Sequence, residues 1–150
     1  MIWPLPEHAF VPGQTARPTQ GPVFDAANSA PPVTDPVAWR ENGTYLYGIN
    51  LHNHGFHWEA HEVWEPVWMG CAANTRERAL MQGLIQLTNA CLKLRMGRTK
   101  ACDRLIGIAR GHLSEAGPVR LMGLSPDRLE NQAANLLQDR KTPKFEVEAL

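Results

Sequence analysis

Between Arg76 and Met96 runs a stretch that cannot stand alone as a helix in water. Leu80, Leu84, Leu87, Cys91 and Leu94 recur at helical spacing, and Met81, Ile85, Leu92 and Met96 widen that stripe to roughly 200° of the circumference. An ordinary surface helix buries about half as much. The segment is therefore a central helix that needs neighbours on several sides, and only a narrow polar strip is left over: Arg78, Gln82, Gln86, Asn89 and Lys93.

The flanking patterns are also helical. Thr44 is placed to cap an apolar pattern of Tyr45, Leu46, Ile49 and Leu51 that closes at His54-Gly55, where glycine suits a left-handed C-terminal residue. A second helix is expected from about Phe56 to Trp68, kinked or ended by Pro66, which lacks a backbone donor and crowds the preceding turn. After the central helix, Gly97 is a stop. Residues 98–115 follow with Ala101, Leu105, Ile108, Ala109 and His112 inward. Gly117-Pro118 ends that helix, and Ser125 with Pro126 at the first helical position opens a last one, a surface lid with Leu129, Ala133, Leu136 and Leu137 inward. Asp35-Pro36 predicts a short helix over 36–41. Sustained period-2 alternation is missing, so the expected fold is all-α, a compact bundle of about five helices. Gly48, Gly55, Ala60 and Trp64 are spaced as in a tetratricopeptide helix pair, echoed by Gly83, Gly97 and Ala101, which suggests antiparallel hairpins.

At 150 residues the chain is long enough for one cored domain and short for two. Eight of its twelve prolines fall within residues 1–36, which reads as an extended or disordered arm. Trp3, Leu5, Phe10, Val11, Val23 and Phe24 make that arm apolar enough to lie across the body as a wrapper, the alternative being a mobile tail. The helical domain is expected over 37–140, and the tail 141–150 should fray. Fifteen basic and fifteen acidic residues cancel, which argues against a nucleic-acid or anionic-membrane partner. No run approaches the length of a membrane span and no export signal is visible. Cys71, Cys91 and Cys102 lack metal-type spacing and fit reduced thiols, so the cytoplasm is the expected compartment.

Chemistry concentrates between Gly55 and Trp68, where three tryptophans, two histidines and three glutamates share fourteen residues. His57, His61, Trp64, Glu65 and Trp68 fall within an arc of roughly 100°, and groups that ionise beside indoles need hydrogen-bond partners or a bound ion. His57 and His61, one turn apart and joined by Glu65, are candidate ligands of a divalent metal, although the stretch is not the H-E-x-x-H pattern. Glu65 could orient the His61 imidazole as in a general acid–base pair, and the alternative is a structural hydrogen bond. Glu59 is expected to be the best solvated of the three glutamates. Gln82 and Gln86, one turn apart, could bind His61 and Glu65 or the polar groups of a ligand; otherwise they belong to a solvent face. His112 is expected to be a satisfied core-edge histidine. Phosphate-loop, dinucleotide and nucleophile-elbow motifs do not occur.

Tyr47-Gly48-Ile49-Asn50-Leu51, Asn53-His54-Gly55, Trp58-Glu59-Ala60-His61-Glu62 with Trp64-Glu65 and Trp68, and then Gln82-Gly83-Leu84-Ile85-Gln86 resemble the signature of the domain-of-unknown-function family 309. The resemblance spans roughly residues 44–115. It implies a small bacterial or archaeal all-helical fold with no assigned activity, and it implies that His61, Glu62, Glu65, Gln82 and Gln86 belong to a family motif. Two functions remain open. One is a pocket for a small polar ligand, with His61 and Glu65 as acid–base pair and Glu62, Trp64, Gln82 and Gln86 around the bound group. The other is a non-enzymatic scaffold or interaction module, with a homo-oligomer left open in either case.

Overall fold

A computed structural model describes residues 3–148. Their regular elements are helical: α1 (Pro22–Asn28), α2 (Gly43–Asn53), α3 (His57–Met69), α4 (Arg76–Arg95), α5 (Thr99–Ala116) and α6 (Pro126–Asp139), with a 3₁₀ turn at Trp39–Glu41. Outside the helices the one β feature among them is an isolated Leu121–Leu124 bridge. None of the described helices is long and apolar enough to cross a membrane.

Helix α4 is the centre that its sequence demands. Leu80, Met81, Leu84, Leu87, Thr88, Ala90 and Cys91 are all buried, with α3 against one side and α5 along another. Its start is local chemistry: the Thr75 hydroxyl accepts from the Arg78 N–H at 3.3 Å, taking one of the four amides a helix leaves unpaired. Gly97 (φ 78°) ends it, while the Arg98 N–H returns to the Lys93 carbonyl at 2.9 Å. Two glycines set how closely the helices approach. A Cβ on Gly48 would overlap the Trp64 indole, and one on Gly83 would stand 2.7 Å from Leu113 Cδ2.

Several expectations are corrected by contacts made at a distance. The α2 cap is Asn42, whose Oδ1 accepts from the Tyr45 N–H at 3.0 Å, because the Thr44 hydroxyl is drawn away to donate to the Ala26 carbonyl at 2.8 Å. Pro66 neither ends α3 nor stops it short of Met69. The terminal carbonyls are covered from outside, Thr34 Oγ1–H donating to Val67 O at 2.6 Å and Thr34 N–H to Gly70 O at 2.9 Å. The helix expected over 36–41 shrinks to the 3₁₀ turn, with Asp35 Oδ1 accepting from the Val37 N–H at 2.9 Å. On α5 the inward face is rotated: Cys102, Leu105, Ile106, Ala109, Leu113 and Ala116 are buried, whereas Ile108 is exposed. Leu137 of α6 is exposed too, although Ser125 caps that helix at Arg128 N as expected.

The described arm lies on the body. Tyr47 donates its O–H to Pro4 O at 2.6 Å, Phe10 meets Trp58 edge-on at 5.0 Å between centroids, and α1 packs on α3. The segment after α6 does not fray within the described residues. Phe145 is buried, and its N–H and C=O both bond the Asn53 amide side chain at 2.8 Å.

Candidate functional site

Helices α3 and α4 bring His61, Glu65 and Trp68 opposite Gln82, Ile85 and Gln86, and these six residues line one surface cleft of about 190 Å³. Each residue is there for a local reason. His61, Glu65 and Trp68 sit at i, i+4 and i+7 of α3, and Gln82 and Gln86 are one turn apart on the edge of α4 that its apolar stripe leaves over. His61 Nε2 stands 3.4 Å from Glu65 Oε2, and His61 Nδ1 stands 3.8 Å from Glu62 Oε1, so each ring nitrogen faces a carboxylate. The pair is open to water, Glu65 half exposed and His61 about a quarter. Trp68 forms the wall, pinned by the Arg78 guanidinium 4.4 Å above its ring. Its indole N–H is buried and finds no partner among the described residues.

Other expected site residues lie elsewhere. Trp64 is completely buried and donates Nε1–H to Tyr45 O at 3.1 Å. It is a core residue and does not line the cleft. His57 is not grouped with His61 and Glu65. Although one turn from His61, it points inward to His52 and Thr88, so the expected His57–His61–Glu65 metal set is split between core and surface. Glu59, expected in solvent, is 1% exposed. Its Oε2 accepts from the Phe10 N–H at 2.7 Å and its Oε1 has no partner among the described residues. Burial raises its pKa above the usual carboxylate range, against the pull of that hydrogen bond. His112 Nδ1 is likewise buried without a partner rather than satisfied.

A second cluster lies in the core. His52, His57 and Cys91 place their ligand atoms within 4.8 Å of one another, all three buried. His52 Nδ1 is 2.8 Å from Thr88 Oγ1 and His52 Nε2 is 2.8 Å from Pro143 O. A carbonyl can only accept, so Nε2 carries the proton and Nδ1 presents its lone pair to the Thr88 hydroxyl. His57 Nδ1 is 3.3 Å from both Thr88 Oγ1 and His52 Nδ1. Phe145 covers the group, stacked on His52 at 4.0 Å and 13°. Burial lowers the pKa of His52 to about 3, with His57 adding to the effect, and that of His57 to about 4, with Arg95 and Lys144 adding. Burial pushes the Cys91 thiol up to about 12. These histidines are neutral.

Helical spacing singled out His57 but did not join it to His52 or Cys91. The available signal was Thr88, a hydroxyl on the buried face of α4 one turn before Cys91. The Phe145 cover carried no local signal.

No curated protein and no solved structure matches the chain. The residues that form both the cleft and the buried cluster, Phe145 and Pro143 apart, lie within residues 45–105, and that segment matches the model of the family described as Domain of unknown function (DUF309).

Proposed function

We propose that the cleft between α3 and α4 binds a small polar ligand, and that His61, paired with Glu65, moves a proton on it. The observation that carries this reading is the convergence of His61, Glu65, Trp68, Gln82 and Gln86 on one cleft. Its 190 Å³ equals the liquid volume of roughly six waters, which suits a ligand of a few carbon atoms with one or two polar groups. Trp68 lines the cleft and its buried indole N–H has no partner among the described residues, so a turn of the ring that brings this donor to an acceptor on the ligand would recover the roughly 1–3 kcal/mol that an unpaired buried donor costs. The glutamine amides offer both donors and acceptors for orientation, and Glu62 and Glu65 hold the imidazole.

The test is a screen of small carboxylates, amides and alcohols by NMR, with the Trp68 indole N–H as reporter. Ligands should shift that signal in the wild type and lose the effect in His61→Ala and Gln86→Ala, both still folded. Ligands that move only other indoles, or none that move Trp68, would sink the proposal.

A second reading draws on the close approaches at Gly48 and Gly83, which resemble those of antiparallel tetratricopeptide-like hairpins in an interaction module. Under it, His61→Ala would chiefly lower stability.

A further inference from the structure

We propose that His52, His57 and Cys91 form a buried binding site for a thiophilic d10 ion, copper(I) ahead of zinc(II), independent of the surface cleft. Two imidazole nitrogens each bound at about 2.0–2.1 Å with a tetrahedral angle between them stand about 3.3 Å apart, which is the separation of His52 Nδ1 and His57 Nδ1. Before an ion binds, this contact can be held by a proton on His57 Nδ1, and the same nitrogen presents a lone pair to an ion when that proton sits on Nε2. The Cys91 sulfur and one ring nitrogen of each histidine lie within 4.8 Å of one another, and closing to an N···S edge of about 3.5–3.6 Å takes a side-chain movement of about an ångström. The His52 partner on the far side fits as well: a metal-bound histidine characteristically donates its other N–H to a carbonyl or carboxylate, and His52 Nε2 is held by Pro143 O at 2.8 Å.

Thr88 Oγ1 lies 2.8 and 3.3 Å from the two nitrogens. Its hydroxyl occupies the position that a bound ion would share, so it rotates aside on binding. As the ion enters, the Cys91 S–H proton leaves to bulk water and a sulfur–metal bond forms; the imidazoles are already neutral, so neither loses a proton, and His57 binds as its Nε2–H tautomer. Copper(I) with one thiolate gives a site of zero net charge, whereas zinc(II) leaves one positive charge in a buried place. The cations at the rim, Lys144 on Asn53 O and Arg95 on Gly55 O, disfavour that residual charge. A thiolate with two imidazoles also suits soft ions better than calcium or magnesium. The cover is Phe145, so the segment after α6 controls entry.

The experiment uses the full-length reduced protein. Copper(I) is supplied without oxygen as its acetonitrile complex against a chromophoric chelator, and cobalt(II), as an optical stand-in for zinc(II), is titrated separately. One ion per chain should bind, the cobalt form showing a thiolate charge-transfer band. Cys91→Ser, checked for folding by circular dichroism, should lose the band and bind copper(I) at least about a hundredfold more weakly, while Cys71→Ser, Cys102→Ser and His61→Ala should bind as the wild type does. Thr88→Val separates a metal site from a hydrogen-bonded network, since it removes the hydroxyl but no donor the metal requires; binding should persist. Phe145→Ala should load faster. Failure of both ions to bind at micromolar concentration, binding unchanged in Cys91→Ser, or loss in Cys71→Ser or Cys102→Ser instead would overturn the proposal. Loss of ligand binding at Trp68 with metal binding intact would count against the cleft alone.

Discussion

Phe145→Ala probes the contact on which the core histidines depend. The ring is 2% exposed, stacked on His52 at 4.0 Å and tilted against Trp64 at 6.0 Å. Truncating a buried phenylalanine to alanine costs about 3–5 kcal/mol, part of it from the cavity left behind. Aromatic pairing of this kind accounts for about 0.5–1.5 kcal/mol beyond area. The upper end is out of reach, because the segment has a cheaper response than keeping a cavity. It is held by Pro143 O on His52, by the paired bonds to Asn53, by Gln132 on Lys144 O and by Glu148 N–H on Gly123 O. Without the ring those bonds are too few to hold it, and peeling it away lets water into the space above His52. The net loss should be about 3 kcal/mol, a large part of the 5–15 kcal/mol typical of a domain. At this chain length that corresponds to a drop in Tm of roughly 6–12 °C. Urea unfolding followed by tryptophan fluorescence measures the loss, and hydrogen exchange should show the Phe145 amide losing protection while those of α4 keep theirs. A Tm within about 3 °C of the wild type, with the Phe145 amide still protected, would refute the placement of this segment over His52.

Gly48→Ala sets helix propensity against contact. Alanine gains about 1 kcal/mol over glycine inside a helix, but its Cβ would overlap the Trp64 indole, which is fully buried and hydrogen-bonded to Tyr45 O. Overpacking costs about 1–3 kcal/mol, so calorimetry should find a net destabilisation of up to about 2 kcal/mol; a stabilised variant would show that α2 and α3 are further apart than in this structure. Glu59→Gln tests a buried charge through its pH dependence. The folded-state pKa of Glu59 is raised above its unfolded value, so the group's favourable contribution is complete below the usual carboxylate pKa and is lost as pH rises through the raised value. The amide, which cannot ionise, should therefore gain stability relative to wild type as the pH of urea unfolding goes from 4 to 8, and a difference that is flat or of opposite slope would contradict the burial of this carboxylate.

What the sequence determined by itself is what short-range chemistry controls. Thr75, Ser125 with Pro126, and Gly97 mark helix ends because their hydrogen bonds or backbone angles are satisfied within four residues. The breadth of apolar surface on α4 required neighbours, and the i, i+4 pairs His61–Glu65 and Gln82–Gln86 could be set on facing helices from their spacing. Tertiary structure alone decided which side of a boundary each polar group took. His57 and His61 differ by about 40° around α3, and that angle puts one against α2 and α4 in the core and the other beside open solvent. Glu59 is buried because the Phe10 amide arrives from forty-nine residues away, and His52 is covered because Phe145 folds back over it. Caps show the same competition: Asn42 and Thr44 both suit α2, and Ala26 on another helix settled it by accepting the threonine hydroxyl. Local patterns specify which groups a helix presents, but pairing a buried polar group requires a partner whose distance along the chain no periodicity encodes.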